Sequence, residues 1–260
     1  MYSRFESLAV ELRSGGALWV HMTDGSKLDA ELAQLYGQVN SDPQVRIIVL
    51  TGAKEKAFCV GGGGANAPTE GQARNAYWVN GMREAREVIV SALDCSKPVI
   101  GRINGHAVGK GCSIALCCDI TVMVEDSKIG DTHVKVGLTA GDGGSLLWPH
   151  LVGMVTARRW LLTGDLMTGR EAASIGLVTE STPRAELDAR IAHWIEKLTQ
   201  SAAPTAVALT KRALNSALRQ HAAAHMDMSL GMETLSFLTE DHREGASALV
   251  EKRAPKFTGA

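Results

Sequence analysis

One histidine and two aspartates share a glycine-rich stretch, Lys128-Ile-Gly-Asp-Thr-His-Val-Lys-Val-Gly-Leu-Thr-Ala-Gly-Asp-Gly-Gly-Ser145. An unperturbed imidazole titrates at about 6.5, so His133 suits a base that takes a proton from water or from a carbon acid. Asp142 can orient such a ring and stabilise its protonated form. A structural alternative stands beside this: His133 bonds to backbone and Asp142 caps the helix that starts near Ser145. Asp131 is a second acid/base candidate, or a turn residue. Glu233 is another if its helix reaches the same place, and otherwise an exposed helical carboxylate. A glycine-rich polar loop beside a buried core is where catalytic side chains usually sit.

Two further stretches offer backbone chemistry. Val99–Ile103 is a short apolar run introduced by Pro98, which reads as a buried strand. Asn104-Gly105 breaks it, and Gly109-Lys110-Gly111 leads into Cys112–Cys118, the start of a buried helix. Strand, glycine turn and helix start in succession bring free N–H groups and the positive end of a helix dipole to one point. That suits an oxygen becoming negative, or simply a tight structural turn. The second stretch, Ala57–Asn66, contains four consecutive glycines, Gly61–Gly64. Such a backbone can come close to a ligand with its N–H groups free, or can be a flexible loop. No Gly-Lys-Ser/Thr follows, so it is no P-loop, and it lacks the helix and acidic residue of a dinucleotide fingerprint.

The elements that must position these residues read as follows. Phe5–Leu12 and Ala17–Met22 form a hairpin across Gly15-Gly16. Leu28 to Val39 has helical spacing and closes at Asp42-Pro43. Val45–Thr51 is a strand, Tyr77–Leu93 an amphipathic helix, and Ile120–Val124 another strand. Ser145–Leu151 and Val155–Leu162 are helical pieces. Thr168-Gly-Arg-Glu171 has capping-box spacing, and a helix with Leu187, Ile191 and Trp194 on one face follows Pro183. Ala206–Leu218 and His225–Leu238 are helical, and Asp241-His-Arg-Glu244 opens a last helix. Strands and helices alternate early and only helices follow, so the fold class is α/β, divided into a core over 1–200 and a helical region over 201–260.

The chain has 260 residues, 45% of them hydrophobic, and a net charge of −1. This allows a sizeable core and gives no global field toward nucleic acid or membrane. Aromatic residues are 5%, too few for a base-stacking surface. Apolar runs are short of a membrane span and the first residues lack signal-peptide form. The five cysteines, an odd number without a CxxC pair, indicate reduced thiols and a cytoplasmic protein. His221 and His225 have i, i+4 spacing, but no third metal ligand is evident, so they read as a solvated helix face and no metal is expected.

Taken together, the motifs resemble the crotonase superfamily, the enoyl-CoA hydratase/isomerase proteins, over nearly the whole chain. The resemblance rests on Val49-Leu50-Thr51-Gly52 leading to Ala57-Phe58 and Gly61, on Lys97–Ile120, on Leu162-Thr163-Gly164-Asp165 through Gly176-Leu177-Val178, and on Asp241-His-Arg-Glu-Gly245 through Phe257. It implies a spiral of ββα turns with a C-terminal helical trimerisation and CoA-contact region, homotrimers often paired into hexamers, and acyl-CoA thioester substrates, with coenzyme A as part of the substrate and no other cofactor. It also implies an oxyanion hole, which by position is the amides of Gly62 and Lys110. Lys252, Arg253, Lys256 and Phe257 fall where the family approaches the CoA phosphates and adenine, and otherwise form a basic helix end. Typical hydratases carry two glutamates where this chain has Ser113 and His133, so His133 with Asp142 is expected to replace the pair. The loop around Asp142 also resembles that of the β-diketone hydrolases of the 6-oxocamphor hydrolase type. Hydration or isomerisation of an enoyl-CoA is the leading expectation. Hydrolytic C–C cleavage (retro-Claisen) of a cyclic diketone or β-keto acyl-CoA is the alternative, and a non-catalytic binding subunit is a third.

Overall fold

The structure is a computed structural model that describes residues 2, 4–23, 25–61 and 71–260, with side chains from 76 onward in the last segment. Its frame is a six-stranded sheet built from β1 (Leu8–Arg13), β2 (Ala17–Met22), β3 (Ile47–Gly52), β5 (Val99–Ile103), β7 (Ile120–Val124) and β10 (Glu180–Thr182), in that spatial order. The β1–β2 hairpin is antiparallel and every later pairing is parallel. β3 is buried along its whole length. That explains its continuous apolar run, since both faces of a parallel sheet are covered.

A second sheet matters more for function. It orders β4 (Ala57–Cys59), β6 (His106–Val108), β8 (Lys128–Gly130) and β9 (Met167–Thr168). β4, β6 and β8 are parallel neighbours and β9 is antiparallel. Parallel strands end on the same side. The residues after β4, β6 and β8 are the first glycine bend, the second glycine bend and the Asp131–His133 loop.

The helices are α1 (Leu28–Asn40), α2 (Gly71–Asp94), α3 (Lys110–Leu116), α4 (Gly144–Thr163), α5 (Gly169–Ser174), α6 (Leu187–Gln200), α7 (Pro204–Ser236) and α8 (Glu240–Glu251). The two pieces expected over 145–162 are one element broken at Gly153, where φ is 77° and ψ 160°. The two helices expected over 206–238 are one 33-residue helix with proline in its first turn. The bridge, Arg219-Gln-His-Ala-Ala-Ala224, loses apolar periodicity but consists of good helix formers. The last helix starts earlier than expected. Thr239 is its cap, accepting from the His242 N–H at 3.1 Å. The Thr168/Glu171 capping box is present on α5.

α7 does not stand apart from the α/β part. Ala222, Met226 and Leu230 join the main buried cluster. Lys211 is buried and donates to Asp119 Oδ2 at 2.7 Å and to the Lys97 carbonyl at 3.0 Å. None of the five cysteines is in a disulfide. No helix among the described residues is long and apolar enough to cross a membrane.

Candidate active site

The end of β4 meets the second glycine bend. β4 and β6 pair directly, and a methyl group on Gly111 would lie 1.9 Å from the Cys59 carbonyl oxygen. Only glycine lets the start of α3 come this close to the end of β4. Gly109 turns with φ of 57°, and its N–H donates to the Gly130 carbonyl at 3.0 Å, tying the second bend to the end of β8. Lys110 is the first residue of α3, so its N–H belongs to the turn whose donors have no partner inside the helix. Gly61, with φ of 72°, has the Val108 carbonyl as neighbour. Gly62, expected to supply the other amide, lies outside the described residues.

His133 follows β8 and opens a short turn, His133–Val136. Its ring approaches the second bend: a methyl group on Gly109 would sit 3.6 Å from His133 Cε1. Asp131 folds back over this turn. Its Oδ1 accepts the His133 backbone N–H at 3.1 Å and lies 2.6 Å from His133 Nδ1. Asp142 lies on the other side, with Oδ2 at 3.6 Å from Nε2. The orienting carboxylate is thus Asp131 rather than the expected Asp142, and the imidazole sits between two acids. The helix-cap alternative for Asp142 also fails. Gly143 caps α4 with no side-chain hydrogen bond, while Asp142 Oδ1 accepts from Ser113 Oγ at 3.3 Å.

Glu233 reaches the same place from α7. It is 4% exposed. A methyl group on Gly141 would lie 2.7 Å from its Oε2, and Ser229, one turn back, donates to the Gly141 carbonyl at 2.8 Å. Lys110 adds a cation: its Nζ donates to Asp29 Oδ2, on α1, at 2.5 Å. Asp29 carried no signal in the sequence, because its partner is 81 residues away.

These charges determine who holds protons. Burial opposes charge on His133, but Asp142 and Asp131 outweigh it and hold the imidazole up at about 10. At neutral pH it is an imidazolium. Its ring therefore has no lone pair with which to take a proton, contrary to the neutral base expected from sequence. Burial, reinforced by Asp142, raises Glu233 to about 8, against the pull of His133 and Lys110, so it is mostly a neutral acid at pH 7. Burial also raises Asp142, opposed by His133. Burial works against the Lys110 charge, yet Asp29 and Asp142 keep its ammonium well above the ordinary range. Glu233 Oε2 and Asp131 Oδ2 are buried without a hydrogen-bond partner. The His133 side chain keeps 12% exposure and is reachable. Asp131, His133 and Asp142 bring ligand atoms within 4.8 Å of one another. With one carboxylate on each ring nitrogen, this arrangement suits a doubly protonated imidazole better than a metal ion.

This site lies in a chain whose likeness to known proteins extends from end to end. The family model described as Enoyl-CoA hydratase/isomerase matches residues 25–260. The chain belongs to the enoyl-CoA hydratase/isomerase family. It is 36% identical to (E)-benzylidenesuccinyl-CoA hydratase of Thauera aromatica over 89% of this chain and 88% of that one. It is 32% identical to crotonyl-CoA hydratase of Syntrophomonas wolfei over 87% and 86%. An enoyl-CoA hydratase structure from Mycobacterium avium subsp. paratuberculosis superposes with a TM-score of 0.86 at 26% identity, covering 97% of this chain and 98% of the other. An enoyl-CoA hydratase/isomerase structure from Mycobacterium paratuberculosis gives 0.81 at 31%, covering 95% and 99%. The α/β fold is the crotonase fold.

Within this family fold the tail takes a definite course. It returns along α8: the Ala260 carbonyl accepts from the Glu240 and Asp241 N–H groups, and Asp241 accepts from the Thr258 and Gly259 N–H groups. Asp241 therefore fastens the tail rather than capping the helix. Arg253 is committed to Glu244 and Glu251. Arg253 and the Lys256 N–H hold Glu244 down at about 2. Lys252, Lys256 and Phe257 are exposed. His221 and His225, read as a solvated face, have a neighbour that the sequence did not reveal: His150 Nε2 of α4 is 2.7 Å from His221 Nδ1.

Proposed function

We propose that this chain hydrates an enoyl-CoA thioester through an enolate, with Asp142 as the group that takes the proton from water and Glu233 as the group that returns one to carbon. The observation that carries this reading is the unequal company of two buried carboxyls in one cluster: Glu233 Oε2 has no hydrogen-bond partner, whereas Asp142 has an imidazole and a hydroxyl beside it. Glu233 is held neutral at about 8, while Asp142 faces the His133 imidazolium at 3.6 Å. Burial raises both carboxyls, but the neighbouring His133 opposes the rise at Asp142, which favours Asp142 as the base and Glu233 as the acid.

Hydration then runs as follows. The thioester oxygen lies against the Lys110 N–H, and Gly62 supplies the second donor as in the family. Water attacks the β-carbon as Asp142 accepts its proton, and the C=C pair moves onto the thioester oxygen. The enolate re-forms the carbonyl as the α-carbon takes the proton of Glu233. His133, positioned by Asp131, stays charged and lowers the energy of both carboxylate states. Donors aimed at the oxyanion contribute roughly 3–4 kcal/mol each when removed singly.

Lys252, Lys256 and Phe257 are the part of the tail free to meet CoA phosphates and adenine, and Arg253 holds the tail on α8. The 201–260 region is proposed to assemble the trimer. The acyl-CoA reading draws support from relatives named as hydratases of acyl-CoA substrates. The test follows thioester absorbance with crotonyl-CoA and acid release from a bicyclic β-diketone. Loss of the enoyl absorbance in the wild type, reduced at least about 100-fold in Asp142→Asn, is the expected result. Acid release from the diketone with no enoyl turnover would replace hydration by C–C hydrolysis. Thioester binding without turnover on a broad panel would leave a binding subunit.

A further inference from the structure

One face of α7 holds the loop that carries Asp142. Ser229, Glu233 and Ser236 stand at i, i+4 and i+7 of that helix, so their side chains share a side. All three meet the segment 139–142, which lies between the His133 turn and α4. Ser229 Oγ donates to the Gly141 carbonyl at 2.8 Å. Ser236 Oγ accepts the Thr139 N–H at 3.1 Å and donates to the Glu233 carbonyl at 2.6 Å. Between these anchors Glu233 leans on Gly141. A methyl group there would lie 2.7 Å from Glu233 Oε2, 2.8 Å from its Cβ and 2.5 Å from the Ser229 carbonyl oxygen. Only a residue without Cβ lets the loop come this near to the helix. The far side of the loop is as closely bounded. A methyl group on Gly143 would sit 3.0 Å from Ser113 Cβ, and one on Gly144 would sit 2.2 Å from Asp131 Oδ2.

The helix itself does not need these bonds to the loop. Ser229 is 3% exposed, and its Oγ also reaches the Met226 carbonyl, three residues back, at 3.2 Å. A helical serine can satisfy its hydroxyl proton in this way without leaving the helix. What the bond to Gly141 adds is a fixed place for the residue next to Asp142. Ser236 does the same for the backbone N–H three residues before Asp142. In the hydration proposed above, Asp142 acts at the β-carbon and Glu233 at the α-carbon. Those atoms are bonded neighbours, so the two carboxyls must keep one spacing about a single C=C bond. A displacement near 1 Å can cost about 100-fold in rate.

We propose that Ser229 and Ser236 are positioning residues, which act through the Gly141 carbonyl and the Thr139 N–H to set the placement of Asp142 against Glu233. This rests on the hydration reading above. Each serine acts through the loop rather than on the substrate. Neither belongs to the tail proposed to meet CoA, so their loss falls on kcat.

The test measures hydration of crotonyl-CoA by Ser229→Ala and Ser236→Ala, each made in the wild type and in Asp142→Asn. In the wild-type background each is expected to lower kcat at least about tenfold, with KM changed less than about twofold. In Asp142→Asn no base is left to place. Each serine change should then cost less than about twofold, because residues that act through one another are not additive. Thermal melts establish which variants are folded, and the two anchors give two separate readings. A wild-type kcat in the folded variants, or the same fold-loss in both backgrounds, overturns the proposal. A wild type inactive on crotonyl-CoA loses the hydration reading and this one with it. An active wild type indifferent to both serines loses this one alone.

Discussion

Among the residues of the site, the proton inventory differs most from what residue types alone suggest. A histidine flanked by aspartates invites the role of base, but acids on both ring nitrogens make it a fixed cation. Part of this was legible. Asp131-Thr-His133 has the two-residue spacing at which an aspartate folds back onto the following turn. Glu233 could be named only on the condition that its helix reach the site, and Asp29 not at all, because both come from helices distant in sequence. The assignment of Glu233 gives a pH prediction. Its carboxyl must be protonated, so kcat/KM of the wild type should fall above about pH 8. Glu233→Gln should lose roughly 100-fold or more in kcat/KM, and its residual rate should lack that alkaline limb. A limb kept unchanged in the variant would assign the proton to another group.

The elements explain why His133 is held so closely. The turn His133–Val136 is pressed on by α8: a methyl group on Gly137, whose φ is 71°, would lie 2.7 Å from the Asp241 carbonyl carbon. His242 adds one hydrogen bond, from Nδ1 to the Val136 carbonyl. This makes His242 a positioning residue that touches no reacting atom. His242→Ala should lower kcat about tenfold with little change in KM, since small misplacements of a reacting group are costly. His242→Asn, whose amide nitrogen can replace the Nδ1 donor, should restore most of the rate. Equal losses in the two variants, each with an unchanged melting temperature, would refute the positioning role. The broken helix at Gly153 was visible as two apolar pieces, because glycine at positive φ interrupts the pattern locally. The continuity of α7 was not visible, because packing against α2 carries it across a stretch without periodicity.

For the molecule as a whole, the buried charges couple folding to pH. His133 is raised to about 10 from the ordinary 6.5 of an imidazole. Between these values the folded state holds a proton that the unfolded state has released, so stability falls as pH rises. The contribution is complete below about 6.5 and gone above about 10. Glu233, raised from 4.5 to about 8, acts in the same direction at lower pH. Denaturant midpoints should therefore decline from pH 7 to pH 10, and His133→Gln should flatten that decline. A variant as steep as the wild type would disprove the linkage. Sequence alone determined the α/β class, five of the six strands of the large sheet, the second glycine bend and the family, because these follow from local apolar patterning, turn chemistry and ordered motifs; the three-residue and shorter strands, β4, β6, β8, β9 and β10, carry too little pattern to be read. Tertiary structure alone decided which carboxylates surround the imidazole. Three parallel strands end together, and α7 brings Glu233 against Gly141 in the loop that follows. Groups far apart in the chain then share one low-dielectric pocket, where burial and neighbouring charge set each proton.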